Sequence, residues 1–337
     1  MAGRVALTGV KPTGAPHLGN WLGAIRPGLA LAAEPDVSAA YFIADGHAVI
    51  SLHDPAILRQ FSLEVAATWL AFGLDPERTL VYRQSDLPEV YELSWLLGCM
   101  TPKGFMNKAH AYKAARDANV AAGRDPDADV NIGLYTYPVL MAADILIVDA
   151  DLVPVGSDQV QHVEITRDVA QRINAQFGEG TLKLPQARVQ AATAVIPGLD
   201  GRKMSKSYNN SIPCFASAKQ LRKAVMRIQT DTSPPEAPKD PDGSLVFDLH
   251  SRLLDADAKA ALAERYRAGV SWGEAKQALA DALEAELAGP RDRYEALLAR
   301  PDTIEDLLRA GIARARPIAQ RVVDRVRVAY GMQSRWW

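Results

Sequence analysis

Arg4-Val5-Ala6-Leu7-Thr8-Gly9-Val10-Lys11-Pro12-Thr13-Gly14-Ala15-Pro16-His17-Leu18-Gly19-Asn20 is the stretch that decides the fold of this chain. Arg4 to Leu7 is a short β-prone run that breaks at Gly9, and Lys11-Pro12-Thr13-Gly14 is turn chemistry. From Asn20 to Ala33 the residues are apolar and helix-forming, with Asn20 as the candidate cap. A strand therefore feeds a glycine-containing loop that opens onto a helix.

The same alternation continues downstream. Ala39 to Ala44 reads as a strand, Asp54-Pro55 opens a helix that runs to Gly73, Leu80 to Arg83 is a third strand and Glu92 to Met100 a helix. Between Pro102 and Asp129 the apolar period weakens, which marks an insertion that is partly helical. Regular structure returns at Asn131 to Val148, followed by a strand end at Val153-Pro154-Val155-Gly156 and a helix from Gln159 to Phe177. Strands alternating with helices predict a parallel α/β sheet, with ligands at the carboxyl ends of the strands. The sheet domain is expected over residues 1–186, with the insertion at about 102–130, and a linking segment over 187–212. Beyond it, 213–337 reads as helical to Tyr330, with a helix at Ala218 to Gln229 and a proline-rich crossing at Thr230 to Gly243.

A chain of 337 residues, 48% hydrophobic and 23% charged, has the length for a large core and a second domain. No apolar run approaches a membrane span, and Met1 to Gly9 lacks a signal pattern, so the expected location is cytoplasmic. The two cysteines, Cys99 and Cys214, are too far apart for a Cys-x-x-Cys motif and argue against a disulfide framework or a cysteine-built metal site; buried thiols are expected. A net charge of -2 gives no whole-molecule attraction to nucleic acid. A local patch does exist from Arg291 onward, where ten arginines face six carboxylates; the alternatives are an RNA surface or a solvated helix face with internal ion pairs.

Two segments carry chemistry. Gly14 and Gly19 let backbone approach an anion, His17 can donate a hydrogen bond, and the helix start near Asn20 favours negative charge. Lys203-Met204-Ser205-Lys206-Ser207 places two ammonium groups on an exposed loop after the turn cluster Pro197-Gly198-Leu199-Asp200-Gly201. Such a loop can fold over a leaving pyrophosphate and stabilise charge when closed. In addition, Asp144 lies inside the apolar stretch Val139 to Val148, and Tyr137, Met141 and Asp144 fall on one face if that stretch is helical. Asp45 and His47 form either a supporting polar shell or a satisfied structural pair.

Pro16-His17-Leu18-Gly19 and Lys203 to Ser207 together resemble the paired signatures of class I aminoacyl-tRNA synthetases. Thr136-Tyr137-Pro138-Val139-Leu140-Met141-Ala142-Ala143-Asp144-Ile145, followed by Val153 to Gln159, resembles the amino-acid pocket of the tryptophanyl-tRNA synthetases. The resemblance implies a Rossmann-like nucleotide-binding domain with an α-helical C-terminal domain that holds the anticodon side of tRNA. It implies ATP-dependent activation of L-tryptophan, transfer to tRNA, Mg²⁺ held mainly by ATP phosphates, and a homodimer. His17, Lys203, Lys206 and Lys113 are the implied catalytic residues. ATP is implied to meet Lys11, Pro12, Thr13, Gly19, Asn20, Gly156, Ser157, Asp158, Ile196 and the segment Lys203, Met204, Ser205, Lys206, Ser207. Tryptophan is implied to meet Leu7, Gly9, Tyr137, Met141, Asp144, Val153, Val155 and Gln159, with Asp144 accepting the indole N–H and Met141 packing on the ring. Lys11 stands where many members carry glutamine, and Tyr208 where an acidic residue is often found. The rival readings are the same chemistry on tyrosine, an RNA-binding paralogue without aminoacylation, and transfer of the adenylate to an acceptor other than tRNA.

Overall fold

The computed structural model describes residues 3–156, 160–189 and 195–332. β1 (Arg4–Val10) leads through the loop into one helical rod: α1 (Leu18–Asn20), a π turn over Trp21–Ile25, and α2 (Arg26–Ala32). The rod starts two residues earlier than expected because His17, not Asn20, is its cap. His17 Nδ1 accepts the Asn20 N–H at 3.2 Å, and the Asn20 side chain reaches back to the His17 N–H at 3.1 Å. Then come β2 (Val37–Ile43), α3 (Asp45–Ala48) and α4 (Pro55–Ala71), whose cap Asp54 accepts from two N–H groups. β3 (Leu80–Arg83) and α5 (Glu89–Cys99) follow. The insertion holds α6 (Lys103–Met106) and α7 (His110–Ala121). α8 (Ile132–Leu146) is capped by Asn131, and β4 (Leu152–Val155), α9 (Val160–Phe177) and β5 (Gln186–Val189) complete the alternation. β5 begins where the sheet domain was expected to end; its four residues are too few to show a period. The remaining helices are α10 (Ala218–Met226), α11 (Leu245–Ser251), α12 (Ala256–Ala268), α13 (Trp272–Leu298) and α14 (Pro301–Ala329).

All five strands are parallel, in the order β3-β2-β1-β4-β5. The order reverses between β1 and β4, the place where such sheets open a crevice. Alternating side chains serve two cores. Tyr41 and Ile43 pack with the first rod, α4 and α10 to α13, whereas Ala40 and Phe42 pack with α5, α8 and α9.

α14 belongs to both cores. Ile304 and Leu308 sit in the first and Ala315 to Val326 in the second, so the helix crosses the outer strand β3 and covers its edge. Packing therefore runs across the boundaries expected at 186 and 213. The arginines do the same: Arg314 donates to the Pro76 carbonyl at 2.7 Å, Arg316 to the Asp86 carbonyl at 2.9 Å, and Arg327 to both Glu92 oxygens at 2.6 and 2.7 Å. Arg325 holds the Asp149 carboxylate and the Thr181 carbonyl, Arg293 the Ala71 carbonyl, and Arg291 pairs with Glu284. These six belong to the reading of internal ion pairs and bridges rather than to a free RNA surface. Arg335 and Trp336-Trp337 lie outside the described residues. Cys214 is buried as expected, but Cys99 is exposed on α5.

Where α14 crosses β3, a Cβ on Gly311 would stand 1.6 Å from the Val81 carbonyl oxygen, so backbone meets backbone. Gly311→Ala should force the helix off the strand and destabilise the fold by about 3 kcal/mol or more, read as a lower urea midpoint with an unchanged slope. An unchanged midpoint would contradict this packing.

Candidate active site

Pairing between β1 and β4 is registered at one position, Ala6 opposite Leu152. Beyond it, Leu7 to Val10 on one strand and Val153 to Gly156 on the other line a cavity of about 600 Å³. Lys11, Thr13, Gly14, Pro16 and Asn20 form its mouth from the first loop, and Tyr137, Met141 and Asp144 line it from α8. The face expected from the spacing of these three is the face presented. Gly9 is required there, since a Cβ would meet the Phe42 ring at 2.5 Å.

Asp144 is only 1% exposed, yet it opens on this cavity. Its carboxylate accepts from His47 Nε2 at 2.9 Å and from Gln84 Nε2 at 2.7 and 2.9 Å. Burial raises its pKa, and the His47 and Gln84 donors act against that rise. A carboxylate offers about four acceptor sites, so one remains for a donor at the end of an apolar cavity. His47 thus supports Asp144, while Asp45 serves the next turn by accepting from the Ser85 N–H at 3.0 Å and from its hydroxyl. Tyr137 donates to or accepts from His162 Nε2 at 3.2 Å, which steadies it in the wall.

The second signature meets the first through its Met204 side chain, and the segment just after it, Ile212 to Cys214, pairs with the first through backbone. The Leu18 N–H donates to the Ile212 carbonyl at 2.8 Å, the Cys214 N–H to the Pro16 carbonyl at 3.1 Å, and the Gly19 N–H to Met204 Sδ at 3.2 Å. Met204 is buried, and its N–H bonds the Ile196 carbonyl at 2.9 Å, so both hold the loop rather than line the cavity. Lys206 Nζ donates to the Thr13 carbonyl at 2.9 Å, beside Gly14, whose φ of +86 only glycine adopts readily. Desolvation there lowers the Lys206 pKa. Lys203 is exposed, and Ser205 and Ser207 bond each other at 2.8 Å.

Sequence reading missed Gln84 and Asn210, because a lone amide carries no motif. Asn210 is buried, accepts the Ser205 N–H at 2.8 Å and donates to Asp200 at 2.7 Å and to the Lys203 carbonyl at 3.1 Å. It fixes the lysine loop from below. Lys113 is exposed on α7 two residues after Ala111, which lines the cavity; two residues apart on a helix do not share a face, so the structure does not bring Lys113 in. Pro12 is buried behind the loop. Ser157, Asp158 and Gln159 lie outside the described residues.

A parallel sheet that opens between β1 and β4, with the histidine and lysine loops bonded to each other beside that opening, has the form of a nucleotide-binding α/β site. The family model for class I tRNA synthetases (W and Y) matches residues 4–288, and the chain belongs to that family. It is 54% identical over 330 residues to a tryptophan–tRNA ligase of Pseudomonas aeruginosa, covering 97% of this chain and 74% of the relative. It is 49% identical to the ligase of Neisseria meningitidis, covering 99% of each. Among solved structures, the tryptophanyl-tRNA synthetase of Campylobacter jejuni in complex with ADP and tryptophan superposes with a TM-score of 0.86 at 39% identity, covering 97% of this chain and 99% of that one. Among the described residues no helix is long and apolar enough to cross a membrane.

Burial first, and then the Lys206 charge, push the His17 pKa down from 6.5 to about 4. The capping bond agrees, since Nδ1 accepts an N–H and the single proton therefore sits on Nε2. The unfolded imidazole gains its second proton below 6.5 and the folded one only below about 4. This contribution to stability is therefore full above pH 6.5 and is lost as pH falls through that interval. An NMR titration of the His17 ring should inflect near pH 4; inflection between 6 and 7 would show that the cap does not hold.

Proposed function

We propose that the chain activates L-tryptophan with ATP and transfers it to the 3′ end of tRNA, releasing AMP and pyrophosphate. The observation that carries the choice of amino acid is Asp144: a buried carboxylate, oriented by His47 and Gln84, at the end of an apolar cavity beside Met141. An indole ring offers a large apolar face and one N–H donor, the complement of that arrangement. Met141 supplies a polarisable thioether to the ring, where a phenol would want an amide.

In the first step the substrate carboxylate attacks the α-phosphorus of ATP and pyrophosphate leaves. The protein supplies no nucleophile; it orients the reactants and meets the developing charge. Lys206, seated against Thr13, and Lys203 on the same loop stabilise the leaving pyrophosphate, and neutral His17 donates from Nε2. Lys11, at the mouth of the cavity, serves a phosphate or the substrate carboxylate. In the second step a 3′-terminal ribose hydroxyl attacks the carbonyl of the adenylate, and AMP leaves. Magnesium would arrive on the ATP phosphates and neutralise their charge: among the described residues no three His, Cys, Asp or Glu side chains are grouped to hold a metal, and the one lining carboxylate, Asp144, is engaged. We assign the anticodon side of tRNA to the helical region from residue 213, place the protein in the cytoplasm, and keep the divisions at 186 and 212 as functional rather than packing boundaries. A homodimer is part of this reading, supported by Tyr91 and Trp95 on successive turns of α5, with Trp95 73% exposed.

Amino-acid-dependent pyrophosphate exchange tests the substrate. Tryptophan should support it and tyrosine should be poorer by at least about a hundredfold; the reverse order would sink the Asp144 assignment. Lys206→Ala should lower kcat by roughly 10²–10³-fold with little change in KM for tryptophan. In sedimentation the parent chain should run as a dimer and Trp95→Glu as a monomer. A monomeric parent would remove the dimer from this reading.

A further inference from the structure

Between Asp200 and Asp231 the chain has no carboxylate side chain, yet it carries Arg202, Lys203, Lys206, Lys219, Arg222, Lys223 and Arg227. The last four lie on α10 or at its C-terminal cap. Leu221 and Val225 bury the opposite face of that helix in the first core, which leaves the basic face outward. Lys219, Arg222, Lys223 and Arg227 are all exposed, and among the described residues none of their side chains makes a hydrogen bond or ion pair. The elements around α10 do not answer them: on α13 Glu284 is taken by Arg291, and Lys276 adds another amine at the Met226 carbonyl, 3.3 Å away.

This is the reverse of the C-terminal arginines, most of which are turned into the protein. It also runs against helix stability, because Lys219 with Arg222, Lys219 with Lys223, and Lys223 with Arg227 are like charges at i,i+3 or i,i+4. A local rule broken in this way asks for an anion from outside. The location says which. Cys214 is bonded to Pro16 in the first signature, and Ala218 opens α10 four residues later, at most about 14 Å of chain away.

We propose that the outward face of α10 is a docking surface for the phosphate backbone of tRNA near its 3′ end, holding the acceptor strand beside the cavity. The assignment rests on the reading that tRNA is the acceptor. Four cations on one face neutralise phosphates without reading bases. They therefore set affinity and its salt dependence, not the choice of tRNA.

The test uses the full chain, a tRNA transcript and the variant Lys219→Ala/Arg222→Ala/Lys223→Ala/Arg227→Ala. Alanine keeps the helix and removes its repulsions, and thermal melting confirms that the fold is retained. Binding measured against potassium chloride should weaken at least tenfold, and the slope of log K on log salt should fall by about three. Tryptophan-dependent pyrophosphate exchange, which needs no tRNA, should be unchanged. A control variant on α12 that removes three cations, Lys259→Ala/Arg265→Ala/Arg267→Ala, should bind tRNA nearly as the parent does. Parent-like affinity and slope in the α10 variant would overturn the proposal, and so would equal losses in both variants, which would mean that only net charge matters. A parent that exchanges with tyrosine instead of tryptophan would overturn the substrate reading and leave the binding result on α10 standing.

Discussion

Parallel pairing between β1 and β4 holds at one position, Ala6 opposite Leu152, and the rest of the site depends on the parting of the two strands beyond it. Because side chains alternate along a strand, the freed ends present both faces and their backbone to the same opening. Leu7 and Val153 give it an apolar floor, while Lys11 to Pro16 carry the chain over its mouth. Continued pairing would close the space with hydrogen bonds between strands. The crevice thus follows from strand order, and the sequence need only furnish the side chains that line it.

An open parallel sheet leaves its outer strand exposed, and here the C-terminal helix supplies the cover. α14 crosses β3 at Gly311 so closely that no side chain fits between them, and then runs down the second core. Its arginines tie it at both ends of that run, to Pro76 before β3 and to Asp149 and Thr181 beyond α8. Several of these bonds end on backbone carbonyls, which a carboxylate-only view of ion pairing would overlook. Hydrogen bonds from a charged donor are stronger than bonds between neutral groups.

Much of this was legible in advance, for identifiable reasons. β3 matched its expected bounds because four apolar or β-prone residues stand between turn signals, and α4 and α8 announced themselves by Asp54-Pro55 and Asn131. The cap of the first rod was misplaced because a histidine accepting through Nδ1 looks, in sequence, like a donor awaiting a ligand. Gln84 and Asn210 were invisible, since nothing local distinguishes an amide that reaches across the fold to Asp144 or beneath the lysine loop. The arginine patch stayed open between two readings for the same reason in larger form. Charge counts along a chain do not record partners that lie more than two hundred residues away, as Glu92 does from Arg327.

The two parts of the site are held by opposite sides of the sheet, and this bears on how they work. Asp144 is fixed by α3 and the turn after β3, within the second core, so the acceptor for the ring is rigid before anything binds. The lysine loop is pinned from the first core by Met204 and Asn210, but its ammonium groups remain on exposed side chains above the first loop. A rigid acceptor binds substrate and transition state alike, and so governs which amino acid enters rather than how fast it reacts. Groups whose contact is made by a loop can bind the departing phosphates more tightly than the bound substrate, which is the condition for raising kcat. Thr13 and Gly14, where Lys206 comes to rest, are the junction between these two functions. A change there should disturb rate and selectivity together, whereas changes at Met141 or at Lys203 should separate them.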